Sequence, residues 1–167
     1  MKASEFIGKT VIDKKGQEIG KIADIILKPS DCLIDKILVS DGAVLNKKYF
    51  TITESEIEAI GDYVILKISV TDVEDRISQE EADSLKKIEL NFKKIVGKTV
   101  ITSNGVKLGT VEDIMIQPHE CLMESIIVKA KSDLGKKSFM LENDEIKDIK
   151  DYLITNMDFD SIEDRIV

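Results

Sequence analysis

The chain carries one segment twice, and this duplication constrains its fold more than any other feature of the sequence. Residues 7–27 read IGKTVIDKKGQEIGKIADIIL, and residues 96–116 read VGKTVITSNGVKLGTVEDIMI. Residues 7–78 align with residues 96–167 without a gap at a constant offset of 89, and 28 of the 72 aligned pairs are identical. An internal repeat indicates that one structural unit is built more than once. We therefore predict two similar domains.

Glycine, aspartate and proline are prominent among the residues that both copies keep. Glycine permits a positive φ in a tight turn, and the pair Asn104-Gly105 strongly favours a hairpin turn. We interpret the kept residues as a structural motif that sets the turns and bulges of each unit. They are Gly8, Gly16, Gly20, Asp24 and Pro29 in the first copy, and Gly97, Gly105, Gly109, Asp113 and Pro118 in the second.

Short apolar and β-branched segments separated by turn signals run through both copies. Turn signals recur about every eight to twelve residues, which is typical of a small antiparallel barrel or sandwich. The sequence predicts a mainly β fold, with two tandem small antiparallel β-barrels of five or six strands each, joined by a short helix. In the first copy the predicted strands are 10–12, 20–27, 34–40, 48–53, 57–60 and 63–68.

A helix signal lies between the two copies. Ser78 precedes Glu81 at the spacing of a capping box, and Ala82, Leu85 and Ile88 follow at helical spacing. These residues predict a helix over residues 79–89. We divide the chain into a first repeat at 1–78, a helical linker at 79–92 and a second repeat at 93–167.

The distribution of charge argues against a nucleic-acid-binding protein. The chain has a formal net charge of −8, and residues 1–78 and 93–167 carry −3 each. Binding to a phosphate backbone depends on clustered positive charge, which neither repeat has.

The sequence also has no apolar run of the ~18–20 residues that span a bilayer, and its first residues lack the apolar core of a signal peptide. We expect a cytoplasmic protein without a transmembrane segment.

Histidine and cysteine do not form a recognisable metal site. His119 stands two positions before Cys121, but a zinc site needs at least three protein ligands, and the sequence offers no further ones at a telling spacing. We expect His119 to face solvent in a turn. We interpret Cys32 and Cys121, which occupy equivalent positions, as small buried apolar side chains.

Two aspartates inside apolar strands have two interpretations. Asp24 and Asp113 could act as a general acid or base, or they could accept backbone N–H groups at a bulge or turn. The second role is favoured because neither aspartate has a catalytic partner in the sequence. The sequence also contains no phosphate-binding P-loop and no hydrolase or metalloprotease motif. We therefore predict no catalytic residue, no metal, no cofactor and no enzymatic activity.

The repeated motif resembles the PRC-barrel domain. The pattern is Ile-Gly-Lys-x-Val, then Gly-x-x-x-Gly-x-x-x-Asp-Ile, then Pro and a β-branched strand, and the resemblance covers nearly the whole chain outside the linker. It implies compact, mostly antiparallel barrels. The residues that carry it are Ile7-Gly8-Lys9-Thr10-Val11, Gly16, Gly20, Asp24-Ile25, Pro29 and Ile37-Leu38-Val39, with a second set from Val96.

The resemblance also implies a class of partners. PRC-barrels occur as a cytoplasmic domain of a photosynthetic reaction-centre subunit, as the C-terminal half of a bacterial ribosome-maturation factor, and as stand-alone proteins, especially in archaea. Some archaeal members belong to the cell-division apparatus and bind SepF, the membrane anchor of the FtsZ ring. By resemblance, the partner is another protein, such as a SepF-like division protein, that recruits this chain to the membrane or division site.

Two main functions remain open at this point. The first is a non-catalytic adaptor or scaffold whose two barrels bind another protein, or a second copy of the chain, by strand addition or helix docking. The alternative is an RNP- or ribosome-assembly module that contacts a ribosomal protein, by analogy with the ribosome-maturation factor. A sensor of a small molecule or metal is a weaker third interpretation.

Differences between the two copies indicate a partner-binding site in the first repeat. Tyr49 is matched by Ser138 and Val44 by Asp133, so the first copy keeps more apolar character in this stretch. Tyrosine and apolar side chains anchor interfaces, whereas lysines lie at the rim, where they bind anions or protect a strand edge. We expect Leu45 and Phe50, kept as Leu134 and Phe139, to be core residues. The predicted site consists of Val44, Lys47, Lys48 and Tyr49.

We predict that the chain binds neither RNA nor DNA with a dissociation constant below about 10⁻⁴ M at physiological salt, because few phosphate contacts release few counterions. Fluorescence anisotropy with labelled oligonucleotides measures this affinity directly. A salt-sensitive micromolar affinity would contradict the prediction and favour the RNP-assembly alternative.

Overall fold

A computed structural model describes residues 1–28, 31, 33–42, 47–73, 76–88, 90–135 and 137–166 of the chain. It confirms a mainly β fold in which the same six-stranded unit is built twice from the described residues. Four of the residues named above, Pro29, Cys32, Val44 and Leu45, lie outside the described residues.

The first repeat forms its strands where β-branched and apolar residues alternate with polar ones. A helix follows, and the Ser78 side chain caps it by accepting the backbone N–H of Glu81 over 3.1 Å. This helix confirms the one predicted between the copies. The elements are α1 (Ala3–Phe6), β1 (Thr10–Ile12), β2 (Glu18–Lys28), β3 (Leu33–Asp41), β4 (Lys48–Ile52), β5 (Ile57–Ile60), β6 (Val64–Leu66) and α2 (Gln79–Lys86).

The second repeat reproduces the one-turn helix and the six strands at the offset seen in the sequence, and it ends in an eight-residue helix of the same length as α2. Two one-turn helices, one ahead of each barrel, were not predicted, because a single turn is too short to show a helical periodicity. The elements are α3 (Phe92–Ile95), β7 (Thr99–Thr102), β8 (Lys107–Gln117), β9 (Leu122–Ala130), β10 (Ser138–Glu142), β11 (Ile146–Ile149), β12 (Leu153–Thr155) and α4 (Phe159–Ile166).

Each unit closes through a parallel pair of strands, so the barrels are mixed. Strands β1 to β4 pair in antiparallel order, and the hairpin of β5 and β6 then returns along β1. Val11 pairs with Val64 in a parallel register, and Val100 pairs with Leu153 in the same way. The structure differs on this point from the predicted antiparallel barrels, because β6 runs in the same direction as the strand that it joins.

Two of the motif glycines, Gly20 and Gly109, permit close contacts between paired strands. All the motif glycines have positive φ, as the turn prediction requires at Gly16 and Gly105. At Gly109 a Cβ atom would lie 1.9 Å from the carbonyl oxygen of Lys129, and at Gly20 a Cβ atom would lie 2.4 Å from that of Ser40. The paired strands can therefore approach this closely only without a side chain.

The apolar core runs through both repeats. Buried aliphatic side chains of the two units belong to one continuous cluster, which also takes in Ala3 and Phe6 of α1. Phe50 and Phe139 are both buried in it, which confirms their predicted role as core residues, whereas Leu134 is only half-buried against it. A shared core means that neither unit buries all its apolar surface alone, which matters for units of this small size.

The two repeats exchange their leading segments. The N–H of Leu27 in β2 donates to the carbonyl oxygen of Leu90 over 2.9 Å, and the N–H of Ile116 in β8 donates to that of Met1 over 2.8 Å. Each residue of the first bond stands 89 positions from its counterpart in the second. The segment ahead of each barrel therefore pairs with a strand of the other barrel, and the bridges Ile26↔Asn91 and Lys2↔Met115 continue the same pairing.

A direct strand contact adds to this exchange. Leu33 pairs with Leu122 in an antiparallel register, and the N–H of Ile34 donates to the carbonyl oxygen of Cys121 over 2.9 Å. Leu90, which lies within the predicted linker, is held against β2 and matches Met1 of the first repeat. The end of the predicted linker therefore belongs to the segment that precedes the second barrel.

The arginine of the repeated Glu-Asp-Arg-Ile sequence forms an ion pair in both copies. The Arg76 guanidinium lies 2.6 Å from a carboxylate oxygen of Glu56, and Arg165 lies at the same distance from Glu145. The hydrogen bonds from Arg165 hold the pKa of Glu145 below its usual range. Each arginine ties the end of its repeat to the turn before β5 or β11, which explains why both copies keep it.

We predict that Gly109→Ala lowers the free energy of unfolding by about 1–3 kcal/mol, because the added methyl group overlaps the Lys129 carbonyl. Urea unfolding followed by circular dichroism measures the change. The control is Gly61→Ala, where a Cβ atom meets no atom within 4 Å, and we expect it to change stability by less than about 0.5 kcal/mol. Equal stabilities for the two variants would contradict the packing argument.

Candidate functional site

The two motif aspartates connect the repeats. Asp113 accepts the backbone N–H of Ile114 over 2.8 Å and that of Ser4, at the start of α1, over 3.2 Å. The hydroxyl of Ser4 also donates to this carboxylate. Asp113 therefore holds the leading helix of the first repeat against β8 of the second.

Asp24 occupies the equivalent position in the first repeat. It accepts the N–H of Ile25 over 2.9 Å, and it lies next to the start of α3. Burial raises the pKa of Asp24 above its usual value, while the backbone N–H groups of Ile25, Lys93 and Phe92 oppose this shift. Both aspartates sit beside a bulge in their strand, so they have the structural role that the sequence favours.

The structure describes three of the four predicted partner-binding residues. Lys47 and Lys48 are exposed at the start of β4, whereas Tyr49 is half-buried. The Lys86 ammonium of α2 lies 3.5 Å from the centroid of the Tyr49 ring, a cation–π contact. The assignment of a partner site to Val44, Lys47, Lys48 and Tyr49 stays a prediction.

Two of these residues line a cleft of about 440 Å³ in the first repeat. Lys47 and Tyr49 form part of its wall, together with Lys21 of β2, Lys86 of α2 and Lys93 of α3. These residues come from distant parts of the chain, so no local pattern in the sequence groups them. Only the folding of α2 and α3 against β2 brings them together.

An exposed tyrosine stands at the same place in each repeat. Tyr63 and Tyr152 each expose 52% of their surface, and both lie at the tip of the closing hairpin. Ile65, two residues along β6, is 41% exposed beside Tyr63. Large apolar side chains exposed in this way mark interaction surfaces when they cluster. The repeated pairs Asp62-Tyr63 and Asp151-Tyr152 are visible in the sequence, but their exposure is not.

The backbone around both tyrosines is fixed by the same contacts. The N–H of Gly61 donates to the carbonyl oxygen of Tyr63 over 2.9 Å, and that of Lys150 donates to Tyr152 over 3.0 Å. The ammonium of Lys9 donates to the carbonyl oxygen of Gly61 over 2.6 Å. Lys98, the counterpart of Lys9, donates to Lys150 in the same way. Each hairpin tip is therefore held in place before any partner binds.

His119 and Cys121, the two residues considered for metal binding, lie in and directly after a short turn. His119 is exposed in a short 3₁₀ turn that begins with the buried Pro118, as predicted for a turn histidine. Cys121 is half-buried rather than fully buried, and its thiol donates to the carbonyl oxygen of Ile34 over 2.7 Å. Burial raises the pKa of this thiol, and the negative charge of Glu54 adds to the effect.

Searches across the described part of the chain give two further results. No group of three or more His, Cys, Asp or Glu side chains in that part is arranged to bind a metal. None of its helices is long and apolar enough to cross a membrane.

The model of the PRC-barrel domain matches the chain over residues 1–73 and again over residues 87–162. The chain belongs to the PRC-barrel family. The two matched segments correspond to the two repeats, so this is a tandem PRC-barrel protein.

Comparison with solved structures finds a putative 16S ribosomal RNA processing protein RimM from Pseudomonas aeruginosa. The two chains share 16% sequence identity with a TM-score of 0.35, and the match covers 93% of this chain and 98% of the other. No curated protein sequence matches the chain.

We predict that the Ser4–Asp113 contact stabilises the packing of the two repeats. Ser4→Ala and Asp113→Ala should each lower the free energy of unfolding by about 1 kcal/mol or more, because both remove a hydrogen bond at the start of α1. A double-mutant cycle should give a coupling energy of at least about 0.5 kcal/mol.

The control for this cycle pairs Ser4→Ala with Asp24→Ala. Asp24 is the residue of the first repeat that is equivalent to Asp113, and among the described residues it accepts no hydrogen bond from Ser4. We expect the control pair to be additive within about 0.3–0.5 kcal/mol. Coupling of the same size in both cycles would show that the Ser4–Asp113 bond has no specific role.

Proposed function

We propose that this tandem PRC-barrel protein is a non-catalytic adaptor that binds partner proteins through an equivalent surface on each barrel. The observation that supports the proposal is the pair of tyrosines, Tyr63 and Tyr152, each 52% exposed at the tip of the closing hairpin. Both repeats keep this residue although most aligned positions have diverged.

Tyrosine is well suited to anchor an interface. Its ring provides a large contact area at a low cost in conformational entropy, and it is enriched among the residues that dominate binding energy. The hydrogen bonds at each hairpin tip fix the backbone that carries the ring. A pre-organised anchor loses little freedom on binding, which favours affinity.

Two equivalent surfaces on one chain permit bivalent binding. When the first surface is bound, the second acts at a high effective concentration on a linked or oligomeric partner. The shared core and the exchanged leading segments fix the two hairpins to one body. Avidity on an oligomeric partner is therefore the expected gain from the duplication.

The resemblance to archaeal PRC-barrel proteins makes a SepF-like division protein the first partner to test. Such a partner would recruit the chain from the cytoplasm to the membrane or the division site. The RNP-assembly alternative is another outcome of the same experiment, because the recovered partner would then be a ribosomal protein. Self-association of the chain would instead appear as a mass that depends on concentration.

The test begins with recovery of the partner from the native host and its purification. We predict that Tyr63→Ser and Tyr152→Ser each weaken binding by at least about fivefold, or ~1 kcal/mol, and that the double variant weakens it by far more. The matched control is Met140→Ser. Met140 is an apolar residue of β10, away from the hairpin tips, and its side chain is 42% exposed. Surface plasmon resonance against the immobilised partner measures these affinities.

Two results would contradict the proposal. One is a double variant that keeps its fold and binds the partner as tightly as the parent. The other is a loss of affinity in Met140→Ser equal to that in the tyrosine variants, which would indicate non-specific apolar contact.

The site predicted at Val44 and Tyr49 is tested in the same assay. The changes Val44→Asp and Tyr49→Ser install the residues of the second repeat, Asp133 and Ser138. We predict that together they leave the fold intact and weaken the association. Unchanged binding would show that this site assignment is wrong.

A further inference from the structure

A cleft of about 440 Å³ separates the first barrel from the segment that joins it to the second. One wall is formed by β2, β3 and β4, and the other by residues of α2 and α3. Apolar surface from the half-buried residues Ile7, Ala23 and Tyr49 lines part of the wall. Its volume lies within the range of about 300–1,000 Å³ that is usual for small-molecule sites.

Positive charge is concentrated around this cleft although the chain as a whole is acidic. The formal net charge is −8, yet five lysines line the cleft. Asp24 is the one carboxylate among the described lining residues, and it lies close to the start of α3. The cleft therefore attracts anions within an otherwise acidic surface. The lining lysines are Lys21, Lys47, Lys86, Lys93 and Lys94.

Two of these lysines have no carboxylate partner among the described residues. Lys21 and Lys47 are exposed, and no described acidic side chain lies within ion-pair distance of them. Lys86, in contrast, lies over the Tyr49 ring and 3.6 Å from Asp83. Lys21 lies on β2 and Lys47 directly precedes β4, and both strands pair with β3. Their ammonium groups are therefore available to a ligand in the cleft.

The second repeat shows that the barrel does not need these residues for its fold. Its backbone follows the same course, but Thr110 replaces Lys21 and Ser138 replaces Tyr49. The hydroxyl of Ser138 donates to the carboxylate of Glu112 over 2.6 Å, which places an acidic group where the first repeat has a small side chain. Lys21 and Tyr49 are therefore specific to the first repeat, whereas Lys47 is kept as Lys136, and Lys93 and Lys94 lie on α3.

We infer that this cleft binds a small organic phosphate, with the phosphate group near Lys21 and Lys47 and an apolar or ring portion against Tyr49. Lysine binds phosphate as a point charge, and several lysines around one volume match a multiply charged anion better than a single carboxylate. The aromatic and aliphatic wall provides contact for the organic portion. This binding goes beyond the proposed adaptor function and does not involve Tyr63 or Tyr152, although Lys47 and Tyr49 also belong to the partner site predicted from the sequence.

The experiment uses the full chain and two defined probes, inorganic pyrophosphate and phenyl phosphate. Titrations are followed by ¹H–¹⁵N NMR at low salt, where exposed charges are screened little. We expect saturable shifts that are largest at Lys21, Ser40 and Tyr49, with dissociation constants of about 1 mM or below. Sodium chloride at matched ionic strength provides the blank.

Variants taken from the second repeat separate the two parts of the site. Lys21→Thr should weaken the binding of both probes by about fivefold or more, because it removes one close positive charge. Tyr49→Ser should weaken phenyl phosphate more than pyrophosphate, since only phenyl phosphate has a ring. The control is Lys107→Thr, an equal change of charge at an exposed position of β8 in the other barrel, and it should leave both affinities within about twofold.

Three results would overturn the inference. Pyrophosphate could give no saturable shift at Lys21, Ser40 and Tyr49. Lys107→Thr could weaken binding as much as Lys21→Thr, which would show that only the overall charge matters. Finally, Tyr49→Ser could affect both probes equally, which would exclude a role for the ring in binding the organic portion.

Discussion

The structure depends on a reciprocal set of backbone hydrogen bonds between the two repeats. Leu27 and Ile116 are buried, so their N–H groups cannot bond to water. Each finds its partner in the segment ahead of the other barrel, at Leu90 and Met1. A buried N–H without a partner costs about 1–3 kcal/mol. Each barrel is therefore complete only in the presence of the other, and the continuous core has the same consequence.

The motif aspartates extend this dependence to the leading helices. Asp113 accepts two bonds from Ser4, and Asp24 lies against the start of α3. In the sequence these two aspartates resemble candidate general acids, but in the structure their contacts join the two repeats. Both residues take part in the connection between the units, which gives a structural reason for the repeats to keep them.

A symmetric backbone carries both symmetric and asymmetric surfaces. Tyr63 and Tyr152 repeat one exposed feature on both barrels, which suits a bivalent adaptor. The lysine-lined cleft has no such counterpart, because Ser138 and Glu112 occupy the equivalent place in the second repeat. Duplication has in this way kept one surface in both copies while the other differs between them.

The sequence by itself determined the repeat, the turns and the strands, because glycine positions and the alternation of apolar residues act over a few neighbouring residues. It also indicated the core role of Phe50 and Phe139. It did not predict the parallel closure of each barrel, the one-turn helices or the exchange of leading segments. Only the tertiary structure decided these, and it alone brought Lys21 close to Lys86 and Lys93. Such contacts join residues that are far apart in the chain, so no local pattern records them.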